Sequence, residues 1–127
     1  MLNNLIKLLK NSKSDYYNYK VSCVLVCKDS KEFFGVNVET SSPAAGICAE
    51  RNALFSAISA GYKKEDFKEM HILVDSKKHA KPCFVCRQAL ADYVLDDVEI
   101  FLYSIDGFCE KVVLRDLIPH KFDKEDL

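Results

Sequence analysis

The chain has 127 residues, of which 49% are hydrophobic, a length and composition expected of one globular domain spanning residues 1–127. Its 18 basic side chains nearly balance 19 acidic ones, so no basic surface is expected that would gather the phosphates of a nucleic acid. Nucleic acid is therefore excluded from the expected partners.

The first predicted element is an amphipathic helix within residues 1–10. Leu2, Leu5, Ile6 and Leu9 recur at helical spacing, with Asn and Lys between them. The segment is too broken for a signal sequence and too short to span a bilayer, so we expect a cytoplasmic protein without a membrane partner. Thiols stay reduced in the cytoplasm, and the six cysteines are accordingly interpreted as metal ligands or core residues and not as disulfides.

Two strands are predicted next, joined as a hairpin. A polar and aromatic connector at 15–19 leads to a buried strand at 21–27, and turn residues separate this strand from a second one at 33–38. Cys23 and Cys27 lie within the first strand. Because free cysteine is among the most buried residue types, we interpret both as small core residues.

A helix over residues 48–60 follows a loop of small residues. Its apolar stripe consists of Ala49, Ala53, Leu54, Ala57 and Ile58. A third strand begins at His71 and runs to Val74. A helix between two strands favours a parallel crossover, and hence α/β packing.

The last third of the chain repeats this alternation. Pro82 is placed in the first turn of a helix over 83–94, for which the inward residues are predicted to be Val85, Ala89, Leu90 and Tyr93. Strands are predicted at 98–103 and 108–113, with Cys109 in the core, and a final helical turn at 114–117. Together these elements predict a three-layer α/β/α sandwich around a mixed five-stranded sheet.

Three cysteines, Cys48, Cys83 and Cys86, stand at the starts of the two central helices. A helix N-terminus presents unpaired N–H groups and the positive end of the dipole, which favour the thiolate form that binds metal. Cys83 and Cys86 are three residues apart and share one face of a turn, so both can bind one ion. Three protein ligands leave a fourth position for water, the arrangement of a catalytic rather than a structural Zn²⁺ site.

Two charged residues accompany the cysteines. Glu50 is close enough to act as a general acid/base without being a ligand. Arg51, one turn along from Cys48, can offset the negative charge of three thiolates by hydrogen bonds to sulfur, although an exposed helix arginine is the plainer alternative.

A Cys-x-x-Cys pair alone would also fit a redox pair, half of a zinc ribbon, or a non-catalytic zinc module used for contact. The combination of Cys48-Ala49-Glu50 with Pro82-Cys83-Phe84-Val85-Cys86 is the signature of zinc deaminases. Over nearly the whole chain, four segments resemble the small homotetrameric cytidine deaminases, namely Asn37-Val38-Glu39, Gly46–Arg51, Pro82–Gln88 and Leu117–Phe122.

This resemblance implies a hydrolytic enzyme of pyrimidine salvage. It would convert cytidine and deoxycytidine to uridine and deoxyuridine with release of ammonia, as water attacks C4 and Glu50 transfers protons. Pro82 and the neighbouring backbone would shape the side from which ammonia leaves.

The resemblance also implies the residues that bind substrate. Asn37 and Glu39 would bind the ribose, since they stand eleven and nine residues before Cys48. The backbone at Ala49 and Lys81 would meet the base. Two further substrate contacts are implied, by Tyr19 in the pocket wall and by Phe122, which would reach the base bound by a neighbouring subunit of a homotetramer.

Three segments depart from the family pattern, at 15–19, at 40–43 and at Lys81. They concern the pocket and the choice of nucleoside, not the zinc ligands, and a deaminase of a nucleoside-like antibiotic such as blasticidin is kept as the alternative. The histidines are predicted to have solvent or packing roles, and not to bind metal; they are His71, His79 and His120.

Overall fold

A computed structural model describes residues 1–127. Five strands are present: β1 Val21–Cys27, β2 Glu32–Val36, β3 Phe67–Val74, β4 Glu99–Ser104 and β5 Gly107–Val113. They form one sheet in the order β2-β1-β3-β4-β5. β1 is antiparallel to β2 and β3, β4 is parallel to β3, and β5 is antiparallel to β4, so the predicted mixed sheet is confirmed.

Four α-helices flank the sheet: α1 Leu2–Leu9, α2 Ala49–Ser59, α3 Phe84–Tyr93 and α4 Leu114–Leu117. Side chains of a strand alternate between the two faces of the sheet. Ile72 of β3 accordingly packs in the main core with α2 and α3, whereas Leu73 packs with Leu5 and Leu9 of α1. The three-layer α/β/α sandwich is therefore confirmed. None of these helices is long and apolar enough to cross a membrane.

The connections place both central helix starts at one edge of the sheet. β2 and β3 run in the same direction, because each is antiparallel to β1, and α2 connects them. α3 connects the adjacent parallel strands β3 and β4. Both helices consequently begin beyond the carboxyl ends of strands, which is the usual position of a ligand site in an open α/β sheet.

β2 and the start of α2 approach each other in direct backbone contact. A Cβ added at Gly35 would lie 2.2 Å from the carbonyl oxygen of Ala49 and 2.5 Å from the backbone nitrogen of Ala53. Asn52 reinforces the contact, since its Nδ2 donates to the Val36 carbonyl at 3.0 Å. Only glycine permits so close an approach of the two backbones, and the first turn of α2 therefore packs directly against β2.

The buried positions of α3 differ from the sequence prediction. Its core face is formed by Cys86, Leu90 and Ala91, whereas Val85 and Tyr93 are exposed, so the prediction was wrong for these two residues. α3 carries apolar residues on two faces, and helical spacing alone does not show which face meets the sheet.

Smaller corrections concern strand ends and one cysteine. β2 ends at Val36 because the Val21 N–H donates to the side-chain Oδ1 of Asn37, while the Asn37 carbonyl accepts from the Lys13 N–H. β3 begins at Phe67, four residues before the predicted start. Cys23 and Cys27 are buried as predicted, but Cys109 is exposed on β5, at the irregularity in its pairing with β4, so the prediction of a core position was wrong for this residue.

Candidate active site

The three cysteines from the two helix starts meet in space. Cys48 and Cys83 are the N-cap residues of α2 and α3, both with extended backbone, and Cys86 lies in the first turn of α3. Their Sγ atoms all lie within 4.8 Å of one another, and those of Cys48 and Cys83 are 3.8 Å apart. Such a cluster could hold one metal ion.

The electrostatics of the cluster also favour a bound cation. Arg51 donates from Nη2 to the sulfur of Cys48 at 3.5 Å, a contact through which a cation can offset thiolate charge. The pKa of Cys48 is lowered to about 5, first by its hydrogen bond with Cys86 and then by those with Arg51 and Cys83. The pKa of Cys86 is raised, first by the same contact with Cys48 and then by burial. Ionisation of one cysteine therefore disfavours ionisation of its neighbour, and a bound divalent cation would relieve this repulsion between thiolates.

The donor set fits zinc. Three soft thiolates from two helix starts leave one position of a tetrahedron open, and zinc is the divalent metal that such ligands favour. The Nε atom of Arg51 is buried and has no hydrogen-bond partner within the chain. A half-buried cationic group that donates to the Cys48 sulfur is suited to a cluster that stays negatively charged after the metal binds.

Glu50 is buried beside this cluster in the first turn of α2. Burial raises the pKa of its carboxyl to about 7; its own backbone N–H opposes the shift, and the Cys48 thiolate adds to it. A carboxyl group that titrates near neutral pH can both accept and return a proton, which an ordinary exposed glutamate does poorly.

A cavity of about 180 Å³ opens at the cluster. Eleven residues line it: Tyr19, Val21, Asn37, Cys48, Ala49, Glu50, Ile72, Val74, Ala80, Lys81 and Cys83. A neighbouring hollow of about 190 Å³ shares Asn37 and Cys48 with it and adds Tyr17, Glu39 and Arg51. The structure thus gathers most of the predicted site residues around two adjacent spaces.

The side-chain amide of Asn37 makes three hydrogen bonds within the chain. Its Oδ1 accepts from the backbone N–H of Val21 at 2.8 Å and from the hydroxyl of Ser12, while its Nδ2 donates to the carbonyl of Tyr19 at 2.6 Å. Because an amide has two N–H donors, one remains for a ligand.

Glu39 is also partly engaged by the chain. Its Oε1 accepts from the backbone N–H groups of Tyr16 and Tyr17, both at 2.9 Å, and its Oε2 accepts no hydrogen bond. One carboxylate oxygen is therefore free to receive a hydroxyl group.

Other predicted residues lie at the margin of the site or away from it. Pro82 is buried two residues before α3 and not in its first turn, and its carbonyl accepts from Arg87 Nε at 2.8 Å. Phe122 lies in a groove between α3 and the C-terminal tail, away from the cysteines of its own chain. No histidine joins the cysteine cluster.

Sequence reasoning missed several residues that line the cavity. Ile72 and Val74 were predicted only as strand residues, yet they form a wall of the cavity at the carboxyl end of β3. The position of the two helix starts was the available signal, since strand ends at that edge must meet them. Ser12, which anchors Asn37, has no sequence signal that sets it apart.

An α/β sheet with a three-thiolate metal site and a buried carboxyl group beside it defines the class of zinc-dependent hydrolytic enzymes. The family model described as "Cytidine and deoxycytidylate deaminase zinc-binding region" matches residues 1–102. The chain belongs to this family, and its cofactor is zinc.

Individual relatives extend over most of the chain. A cytidine deaminase of Sporosarcina psychrophila is 32% identical over 112 residues, which are 88% of this chain and 81% of that protein. The crystal structure of a cytidine deaminase from Burkholderia pseudomallei is similar, with a TM-score of 0.90, 32% identity and 95% of each chain covered. A blasticidin-S deaminase of Bacillus cereus is 28% identical over 84% of this chain and 79% of its own.

Proposed function

We propose that residues 1–127 form one catalytic domain that hydrolyses cytidine and deoxycytidine to uridine and deoxyuridine, with release of ammonia. The observation that carries this proposal is the buried Glu50 carboxyl, which shares a cavity with the three-cysteine cluster. A non-catalytic zinc module would have no need of a buried proton carrier beside an open ligand position, so this arrangement favours the enzyme.

The chemistry divides between the metal and the chain. Zinc held by the three thiolates supplies the Lewis acidity that activates water toward C4 of the pyrimidine. Glu50, with a pKa of about 7, would accept one proton from that water and deliver it to N3 of the ring. It would then take the second proton from the hydroxyl added at C4 and pass it to the amino group, which leaves as ammonia. Arg51 balances the charge of the sulfurs during these transfers.

The sugar would occupy the hollow next to the cavity. The free N–H of Asn37 and the free oxygen of Glu39 are one donor and one acceptor, which suits the hydroxyl groups of a ribose. Tyr19 lines the cavity, and the backbone at Ala49 and Lys81, which line it too, would face the base. A substrate without the sugar would leave these polar groups unpaired, so free cytosine is expected to react very poorly.

The direct test is a spectrophotometric assay with cytidine, combined with elemental analysis of the purified protein. We expect turnover and about one zinc per chain, the content that one such ligand set implies. Replacement of all three cysteines by Ala should abolish both. A metal-free but fully active protein would disprove the proposal, as would zinc retained by the triple variant.

A specific observation keeps the blasticidin-type alternative open. The departures from the family pattern at Tyr17, Thr40 and Pro43 line the hollow assigned to the sugar. Competition between cytidine and blasticidin S in the same assay distinguishes the two. A higher kcat/KM for cytidine supports the proposal. A higher value for the antibiotic would show that the antibiotic is the preferred substrate of the same deamination reaction.

We propose further that the enzyme acts in pyrimidine salvage in the cytoplasm and assembles as a homotetramer. All six cysteines are free, which suits a reducing compartment. Phe84 is 79% exposed and lines one groove with the exposed Phe122, and two further apolar side chains of α3, Val85 and Tyr93, are exposed as well. Association of copies would bury this apolar surface, which single domains rarely leave open.

A further inference from the structure

The segment of residues 77–82 forms one wall of the cavity, yet its backbone is almost unsupported. It contributes Ala80 and Lys81 to the lining and leads directly to Cys83. No backbone–backbone hydrogen bond involves these six residues. Two bonds to side chains remain, from Lys78 N–H to Ser76 Oγ at 3.3 Å and from Arg87 Nε to the Pro82 carbonyl at 2.8 Å. The middle of the segment must be held in some other way.

Glu110 on β5 provides the missing support. His79 Nε2 donates to its Oε2 at 2.8 Å, and Lys81 Nζ lies 3.2 Å from its Oε1. The strand itself is fixed, since Glu110 stands opposite Leu102 in the β4–β5 ladder. The pKa of Glu110 is lowered, first by His79 and then by Lys81, which is the direction expected when a carboxylate is held by two donors. One carboxylate therefore connects two points of the segment to the sheet.

We propose that Glu110 is a positioning residue, which holds segment 77–82 so that the backbone at Ala80 and Lys81 forms the wall against the substrate base. It acts through His79 and Lys81 and does not touch the substrate, and the assignment rests on the proposed function. It also gives a role to Lys81, one of the departures from the family pattern, whose Nζ reaches the Glu110 carboxylate on β5.

The effect should appear in KM. Pairs of partly exposed charges are individually weak, so removal of both contacts in Glu110→Ala should raise KM for cytidine by roughly 3 to 30-fold. The zinc content should not change, because Pro82 and Cys83 are held separately through Arg87 and α3. Glu110→Gln retains one oxygen acceptor and should recover part of the loss. His79→Ala removes one of the two contacts from the other side and should give an intermediate KM.

A matched control is available on the adjacent strand. Glu99 of β4 pairs with Lys111 at 2.7 Å with similar exposure, but it lies outside the segment and the cavity, so Glu99→Ala should leave KM unchanged. Ionic strength gives a second comparison, since salt screens partly exposed charges. Added salt should raise KM in the unmodified enzyme and have little effect in Glu110→Ala.

Proteolysis tests the same contact without substrate. Trypsin should cleave after Lys77 or Lys78 faster in zinc-loaded Glu110→Ala than in the unmodified protein or in Glu99→Ala. If the unmodified enzyme fails to turn over cytidine, the proposed function fails while the proteolysis result still decides the inference. Equal KM and equal cleavage in Glu110→Ala and Glu99→Ala would overturn the inference, as would loss of zinc in Glu110→Ala, which would assign Glu110 to support of the metal site.

Discussion

Two carboxyl groups near the cavity differ in environment and hence in their proposed roles. Glu50 is buried without a side-chain partner, and its pKa is raised to about 7. Glu39 accepts two backbone N–H bonds through one oxygen and leaves the other exposed to the neighbouring hollow. Burial prepares the first group to carry a proton, whereas the two backbone hydrogen bonds orient the second one and leave its other oxygen available to accept a hydroxyl.

The role of Glu50 is tested by Glu50→Gln, which preserves shape but cannot carry the proton. We expect kcat to fall by roughly 10² to 10⁴-fold, the range typical of a lost general acid/base. Zinc content should stay at the level of the unmodified protein. Glu65→Gln, at an exposed position, is the control for an isosteric change elsewhere. Near-normal kcat in a zinc-loaded Glu50→Gln enzyme would exclude Glu50 as the proton carrier.

Asn37 is proposed to bind the sugar of the substrate, and its hydrogen bonds also stabilise the fold. Its three hydrogen bonds connect residue 12, the Tyr19 carbonyl and the start of β1, so Asn37→Ala leaves buried backbone groups unpaired. We expect a loss of about 1–3 kcal/mol in the free energy of unfolding, together with a higher KM for cytidine.

Denaturant unfolding and the ratio of kcat/KM for cytidine to that for cytosine are the two measurements. Ser42→Ala, in the exposed loop after the binding segment, serves as the control. An Asn37→Ala enzyme with unchanged stability would contradict the bonding seen here. One that keeps full preference for cytidine would remove Asn37 from the sugar site.

At the scale of elements, the helices show what the sequence could and could not predict. Both central helices were predicted to within a residue or two at each end, because apolar residues at helical spacing mark their extent locally. The cysteine cluster was predictable for the same reason. The outward position of Val85 and the Glu110 contact were not, since both depend on which distant segment packs against the element.

The contact between β2 and α2 makes Gly35 a test of element packing. In Gly35→Ala the added methyl group would overlap the backbone of α2 at two atoms, so the first turn that carries Cys48 and Glu50 must shift. We expect destabilisation by about 1–3 kcal/mol, the usual cost of overpacking, and a lower Tm.

Calorimetry and zinc content on the same preparation check this prediction. Activity should fall more than stability alone explains, because the two displaced side chains belong to the site. Ser59→Ala adds no bulk at the exposed end of α2 and should change neither quantity. A Gly35→Ala protein with the original Tm and full activity would show that β2 and α2 can separate at no cost.

At the scale of the whole molecule, the proposed homotetramer would use the C-terminal tail of each chain as a contact with a neighbouring chain. Phe122 is 55% exposed, and its backbone carbonyl accepts from Gln88 Nε2 at 2.8 Å, which fixes the tail near α3 and leaves the ring free. In a single chain the ring covers no part of the cavity. It could reach a base only in a neighbouring copy, as the family resemblance implies, or serve simply to hold the tail on its own domain.

Phe122→Ala distinguishes these roles in the assembled enzyme. An aromatic face on a nucleobase contributes on the order of 1–3 kcal/mol, so KM for cytidine should rise by roughly 5 to 150-fold if the ring contacts the base. Leu127→Ala removes an apolar side chain from the same tail and should leave KM unchanged. Light scattering at the assay concentration should give four chains for the unmodified enzyme. A fully active monomer, or an unaltered KM in tetrameric Phe122→Ala, would show that each chain completes its pocket without a neighbour.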